Sequence, residues 1–448
     1  MKNSFNENLI ALACELRAPL YVVGGYVRNF LINGTISDDI DLCSSVDKEQ
    51  LVKAINNTGF KIVAEYPRTR TILFTDGKQK YEFTAMRVDG YTGGGHKPAV
   101  TEYTDDITLD ARRRDFKCNA VYCDIKSGEI IDPVNGVEDI KNKVLNTVKN
   151  PDEVFCNDGL RLMRLSRFSG ELAFTPTKEV IQSAKKFADN ILEISPERIA
   201  DELKKILVCD TKYSFSDKIG HHTALKILDQ TQVLDKIIPE LSLGRGIEQR
   251  KDYHKYDVLE HTLKTVLYAD KSVRLSALLH DLGKPKLYQE NGNFYGHDKI
   301  GAEIVKRVLN RLKFDNYTIK ETVFLTRFHM FDMDLKLKPA KLRKFIVENY
   351  QMIEKLLKLK QADYSAGLDD LSVCPTIIKW QREMEKMKMD GTPFSIKDLK
   401  VSAKDVTDAG FKGKQIGEVL NYLLNQSILN PKKNNRQSLM SLIYKLKP

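Results

Sequence analysis

Leu20-Tyr-Val-Val-Gly-Gly-Tyr-Val-Arg28, followed fourteen residues past the glycine pair by Asp39-Ile-Asp41, is the stretch on which the fold of this chain turns. The apolar run Leu20–Val23 predicts a strand. Gly24 and Gly25 predict a turn into a helix whose backbone N–H groups can approach a triphosphate closely, since glycine carries no Cβ to obstruct it. Asp39 and Asp41 open a second apolar run, and on a strand two residues so spaced point to the same side. Two hard carboxylates in that position can hold Mg²⁺ ions roughly 3.5–4 Å apart, which activates a hydroxyl and stabilises departing pyrophosphate. The chemistry these residue types suit is nucleotidyl transfer, although each piece alone also reads as an ordinary turn or a solvated strand end.

Outward from this stretch, short β-like runs alternate with turns through about residue 150. Strands are predicted at Leu20–Val23, Ile40–Cys43, Phe60–Ala64, Thr71–Phe74, Tyr81–Met86 and Ala120–Asp124, and a helix at Asp47–Thr58. Farther on, Leu and Ile recur at helical spacing and no strand pair is expected after Asp132. The predicted fold class is α+β: a head of mixed sheet plus helices at 1–148, an all-helical neck at 149–215, a helical body at 216–370 and a basic helical tail at 371–448.

A chain of 448 residues is long enough for three or four domains. Its 42% hydrophobic and 29% charged residues are ordinary for a globular protein, which excludes disordered and fibrous classes. The net charge of +10 favours a polyanionic partner, and residues 371–448 hold 14 Lys/Arg against 7 Asp/Glu, so most of the excess lies in the tail. Such a tail suits RNA, and equally a solvated helical surface. Seven cysteines, at 14, 43, 118, 123, 156, 209 and 374, form no CxxC pair and read as reduced thiols. With no leader pattern and no run of about 18 apolar residues, a cytoplasmic location is expected, with no membrane and no obligatory protein partner.

The order of strand, Gly-Gly, helix with Arg28 and then Asp-x-Asp resembles the polymerase β-type nucleotidyltransferase head, in the class II branch of tRNA CCA-adding enzymes and bacterial poly(A) polymerases. Leu109-Asp-Ala-Arg-Arg-Arg-Asp-Phe-Lys-Cys-Asn-Ala120 is similar to that family's Arg-Arg-Asp-Phe-Thr-x-Asn-Ala, which implies that Arg114, Asp115 and Asn119 contact nucleotide sugar and phosphates. Lys117 and Cys118 depart from it. In Phe155-Cys-Asn-Asp-Gly-Leu-Arg-Leu-Met-Arg-Leu-Ser-Arg-Phe168, a helix would put Asp158, Arg161 and Arg164 on roughly one face. An Asp–Arg pair there reads as a weak structural pair, or as an acceptor and a donor that match the edge of cytosine or adenine. The stretch resembles the family's Glu-Asp-x-x-Arg base-selecting template, with Asn157 in place of Glu. Ser195–Leu207 resembles the neck helix, its charges bracing the template; Glu197 and Arg198 receive no catalytic role.

Glu82 reads as a third metal carboxylate or as half of a cross-strand salt bridge with a neighbour. The glycine-rich Val88–Pro98 predicts a mobile loop, similar to the lever used by family members that add the final A.

In the second half, Asp257-Val-Leu-Glu-His261 and Ala277-Leu-Leu-His-Asp-Leu-Gly-Lys284 resemble the HD superfamily. The resemblance implies a divalent-metal site of His261, His280, Asp281 and Asp363, with His297 and His329 completing a second, and metal-assisted phosphoester hydrolysis. Asp408–Leu424 resembles the bacterial tail element, where Lys412 and Lys414 before a helix suit an RNA phosphate or simply cap it. The resemblance as a whole implies CCA addition to tRNA from CTP and ATP with Mg²⁺. The site residues are Asp39 and Asp41 for metal; Gly24, Gly25, Arg28, Arg114, Asp115, Asn119, Asp158, Arg161 and Arg164 for nucleotide. CC-adding, A-adding and poly(A)-adding enzymes share these motifs, and an HD phosphohydrolase or a non-catalytic RNA-binding protein are the readings from other classes.

Overall fold

The computed structural model describes residues 1, 4–36, 39–90 and 100–447. It divides into two compact units, Met1–Ser242 and Leu243–Pro448.

The first unit opens with helix α1 (Glu7–Glu15), capped by Asn6, whose side chain accepts from Leu9 N at 2.8 Å. Strand β1 (Tyr21–Val23) runs into α2 (Gly25–Asn33), followed by β2 (Asp39–Ser44), α3 (Lys48–Asn57), β3 (Lys61–Tyr66), β4 (Thr71–Thr75) and β5 (Lys80–Ala85). A ribbon of β6 (Arg87–Gly90) and β7 (Val100–Tyr103), helix α4 (Ile107–Arg113), β8 (Tyr122–Asp124), β9 (Ile130–Ile131) and α5 (Gly136–Asn142) complete the head. Seven strands form one sheet in the order β3-β4-β5-β2-β1-β8-β9, with β2 and β5 the parallel neighbours.

Alternation along β2 decides what the sheet does. Ile40 and Leu42 are buried, while Asp39 and Asp41 point to the opposite face, which opens on a cleft. Leu9 and Leu12 of α1 and Leu51 and Ile55 of α3 are buried too, and the rings of Phe60, Phe74 and Tyr81 pack on one another with centroids 5.1–5.2 Å apart.

The six predicted strands and the helix at Asp47–Thr58 lie within two residues of their observed counterparts. Two pairings depart from the sequence reading. Val88–Gly90, read as part of a loop, is strand, paired from Arg87↔Tyr103 to Gly90↔Val100. Glycine-rich sequence on the far side masked four-residue strands too short to show a period; the rest of that loop, residues 91–98, lies outside the described residues. Past Asp132, β10 (Val144–Leu145) pairs in parallel with β11 (Thr175–Pro176), two residues each and thus without any periodic signal.

Helix α6 (Pro151–Asn157) stops before Asp158, which is extended at φ −151° and ψ 105°, and α7 (Leu160–Leu172) starts beyond it. Asp158 therefore sits at a break between helices, which corrects the reading of one helix carrying Asp158, Arg161 and Arg164. Gly159 marks the break, for a Cβ there would stand 2.1 Å from the Asn190 carbonyl oxygen. Nearly every side of α7 is buried, and Arg167 bonds Glu171 at 3.0 Å and Glu202 at 2.7 Å. Glu202 comes from the helix Pro196–Leu207, so a charged residue of that helix braces α7, as the sequence reading of Ser195–Leu207 expects of its charges.

Among the described residues of the second unit the regular elements are all helices. Its tail has a core of its own, with Val406, Phe411, Leu423, Leu439 and Ile443 buried together. All seven cysteines are free thiols, and no helix among the described residues is long and apolar enough to cross a membrane.

Candidate active site

One cleft of about 450 Å³ in the first unit is lined by all eleven residues that the sequence assigned to nucleotide and catalytic metal. Gly24 and Gly25 bring the N-terminus of α2, and β2 brings Asp39 and Asp41. Arg114, Asp115 and Asn119 follow α4, Asp158 ends α6, and Arg161 and Arg164 project from the first turns of α7. Gly24 has φ +76°, and a Cβ on it would meet Asp41 Oδ2 at 3.1 Å, so glycine there leaves a cradle beside the carboxylates.

The polar groups interlock. Buried Arg28 donates to Asn119 Oδ1, to Asn29 Oδ1 at 2.9 Å and to the Tyr213 hydroxyl at 3.1 Å. Asp115 accepts from Arg164 Nε at 2.6 Å and from Asn119 Nδ2 at 3.2 Å. Arg114 is tied at 3.0 Å both to Asp110 and to the Tyr122 hydroxyl. Arg161 donates to the Arg113 carbonyl at 2.6 Å and stands 3.8 Å from the Asp158 carboxylate, which accepts from Leu160 N at 2.9 Å. The guanidinium is thereby aimed by backbone while the carboxylate stays beside it.

The cleft walls desolvate Asp41 and raise its carboxyl above the usual range, Arg114 opposing and Asp39 adding to the rise. Glu82, the register partner of Asp41 on β5, is likewise raised by burial and then by Asp41 and Asp39. No salt bridge of Glu82 forms among the described residues; Glu82 and Asp41 instead line a neighbouring cavity of about 590 Å³. Carboxylates gathered beside an open cradle fit hard divalent cations. Burial would also raise Asp115, yet Arg164 and Arg161 hold it at about 2.

Arg87, Arg113, Arg198, Lys212 and Tyr213 line the same cleft without having been assigned to it. Tyr213 lies in a stretch without apolar periodicity, stacked on Phe215 at 5.0 Å, and nothing local marks it as functional.

In the second unit, His261, His280, Asp281, His297 and His329 are buried; His261, His280 and Asp363 form one close group, His280, Asp281 and His329 another, and His297 Nε2 stands 3.3 Å from Asp281 Oδ1. His261 Nε2 is 3.0 Å from Asp363 Oδ1, and His280 Nε2 is 3.2 Å from Asp281 Oδ2. Burial opposes charge on His280, but Asp281 and Asp363 lift it to about 10. His261 Nδ1 and His280 Nε2 are buried without a hydrogen-bond partner, and the ligand atoms of His261, His280 and Asp363 lie within 4.8 Å of one another, so the donor set fits a divalent metal. His254, which the sequence reading passed over, packs edge-on against His261 with ring centroids 4.5 Å apart, and burial pushes it down to about 3. It stands in Tyr253–Tyr256, just upstream of Asp257 and without the His-Asp signature that exposed the others.

Known families match in the same order. The Poly A polymerase head domain matches residues 20–146, the probable RNA and SrmB-binding site of polymerase A matches 173–243, and the HD domain matches 258–410. The multifunctional CCA protein of Shewanella frigidimarina is 31% identical over 66% of this chain and 70% of its own length. The A-adding tRNA nucleotidyltransferase of Deinococcus radiodurans is 28% identical over 77% of this chain and 76% of its own. The crystal structure of the Bacillus stearothermophilus CCA-adding enzyme in complex with CTP superposes with a TM-score of 0.66 at 19% identity, covering 98% of both chains. With the head, the RNA-binding segment and the HD body all matched in sequence order, the chain belongs to the class II tRNA nucleotidyltransferase and poly(A) polymerase family, in the branch that carries an HD domain.

Proposed function

We propose that this chain adds C, C and A to the 3′ end of tRNA from CTP and ATP, without a nucleic-acid template. The observation that carries the reading is the convergence of the Gly24–Gly25 turn, the Asp39/Asp41 pair and the Asp158/Arg161 pair on one cleft. The triphosphate lies against the N-terminus of α2, where backbone N–H groups and the helix dipole favour negative charge. Arg28 spends four of its five N–H donors on Asn29, Asn119 and Tyr213, so it orients the sugar-binding Asn119 and leaves one N–H for phosphate. Arg114 and Arg164, each fixed by an aspartate, face the nucleotide with positive charge. Asp158 accepts and Arg161 donates to the incoming base, matching cytosine or adenine and leaving unpaired groups against guanine or uracil.

Asp39 and Asp41 would hold divalent cations, Mg²⁺ by the hardness of their oxygens; when bound, such ions neutralise triphosphate charge and make the RNA 3′-hydroxyl a better nucleophile. That hydroxyl attacks the α-phosphorus in line, the new O–P bond forming as the bond to pyrophosphate breaks and the hydroxyl proton passes to water in the open cleft. The functional parts are assigned as head 1–148, neck 149–215, HD body 216–370 and tail 371–448, the tail's excess of Lys and Arg, with Lys412 just before and Lys414 at the first position of the helix Lys414–Leu429, meeting tRNA phosphates. Arg161→Ala tests the template: incorporation of UTP or GTP relative to CTP should rise at least tenfold, and unaltered discrimination contradicts the assignment.

A second activity is favoured by the buried His/Asp cluster, whose residues fit metal-assisted hydrolysis of a phosphoester such as a 2′,3′-cyclic phosphate or a phosphorylated RNA end.

A further inference from the structure

The cations of the active-site cleft fall into two groups. Arg87, Arg113, Arg114, Arg161 and Arg164 each stand 2.5–3.8 Å from an aspartate, which offsets their charge. Arg28, Arg198 and Lys212 line the same cleft and form no ion pair among the described residues. A triphosphate, with several negative charges along one chain of phosphates, is drawn to the cations that protein carboxylates leave uncompensated.

Two of these three meet at the start of α2. The Arg28 guanidinium folds back over the glycine turn, its Nη2 3.5 Å from where a Cβ on Gly25 would stand. The same Nη2 donates to the Tyr213 hydroxyl at 3.1 Å, and the rings of Phe168 and Tyr213 lie beside the guanidinium, their centroids 5.4 and 5.8 Å from its carbon. Lys212 precedes Tyr213 in the chain, and its Nζ is 5.9 Å from the Tyr213 ring. The segment that carries both residues is fixed on either side. After the helix Pro196–Leu207 comes a turn at Cys209–Thr211, closed by Lys212 N donating to the Cys209 carbonyl at 3.2 Å. Beyond Tyr213, the Phe215 ring stacks on it with the planes 8° apart, and Ser216 Oγ donates to the Glu171 carbonyl of α7 at 2.6 Å.

A phenolic hydroxyl both donates and accepts. That of Tyr213 accepts from Arg28, and its proton meets no acceptor among the described residues, so the O–H is left to donate into the cleft. We infer that the Lys212 ammonium and the Tyr213 hydroxyl bind the β- and γ-phosphates of the incoming nucleoside triphosphate, with Tyr213 also holding Arg28 towards the same anion. The inference rests on the nucleotidyl-transfer reading of the cleft and adds two residues to it. With the α-phosphorus beside Asp39 and Asp41 and the base at Asp158 and Arg161, the outer phosphates extend along the N-terminus of α2, where this segment stands.

The test measures binding to the full chain with Mg²⁺ and without tRNA: CTP and inorganic pyrophosphate by calorimetry, CMP by displacement of CTP. Tyr213→Phe keeps the ring that stacks on Phe215, and Lys212→Ala changes an exposed side chain, so both variants should fold. Each is expected to weaken CTP and pyrophosphate about tenfold, and CMP, which lacks the outer phosphates, less than twofold. Lys212→Arg should restore most of the CTP affinity, since it keeps the charge. CTP affinity within twofold of the parent in either variant, or an equal loss for CTP and CMP, overturns the assignment. The expected losses in a chain that extends no tRNA would uphold the assignment and remove CCA addition, whereas a parent that binds neither CTP nor pyrophosphate overturns both.

Discussion

Asp39 and Asp41 reach the same cleft because a strand repeats its direction every second residue, and Glu82 meets them because β5 runs parallel to β2 in register. Asp39→Ala is expected to lower tRNA extension by 10³-fold or more while tRNA binding, measured by filter retention, stays within about twofold. Turnover near the parent's would remove Asp39 from the mechanism. Asp115 gives a pH prediction. Its carboxyl is held at about 2 by Arg164 and Arg161 against an unfolded value of about 3.9, so the ion pairs contribute stability that is present above pH 4 and lost as pH falls towards 2. The contribution is of order 2 kcal/mol. Asp115→Asn should therefore be less stable than the parent at neutral pH by an amount that shrinks between pH 4 and 2 in urea titrations. A difference that is constant with pH would contradict the pairing.

At the scale of elements, the break between α6 and α7 places Asp158 beside Arg161, and Gly159 permits the close approach of the Asn190 backbone. Gly159→Ala should cost about 1–3 kcal/mol in urea unfolding and raise KM for CTP and ATP, because the added methyl must push the break away from its support. Unchanged stability would show that the contact is slack. This break was not legible in the sequence: the spacing of Asp158, Arg161 and Arg164 fits one helix, and only the tertiary contact with Asn190 says otherwise. The strands around Asp39 were legible because their alternation and flanking glycines are local signals. The ribbon pairing Arg87–Gly90 with Val100–Tyr103 and the hydroxyl of Tyr213 on Arg28 were not, since one is too short for a period and the other joins residues 185 positions apart. The histidine cluster lay between these cases: the His-Asp pair pointed to it, whereas His254 carries no such neighbour.

For the whole molecule, two chemistries are assigned to two compact units, Met1–Ser242 and Leu243–Pro448. His280→Ala with Asp281→Ala should abolish hydrolysis of a 2′,3′-cyclic nucleotide in the presence of Mn²⁺ and leave tRNA extension within about twofold. Hydrolysis that persists in this variant would place that activity elsewhere. CCA addition by the cleft of the first unit is read out by extension of a tRNA ending at its discriminator base, with Mg²⁺ and CTP, ATP or both, resolved at single-nucleotide length. Two additions are expected with CTP alone and a third only when ATP is also present. A stop at two with both nucleotides, a long ladder with ATP alone, or no extension of any suitable tRNA end would contradict it.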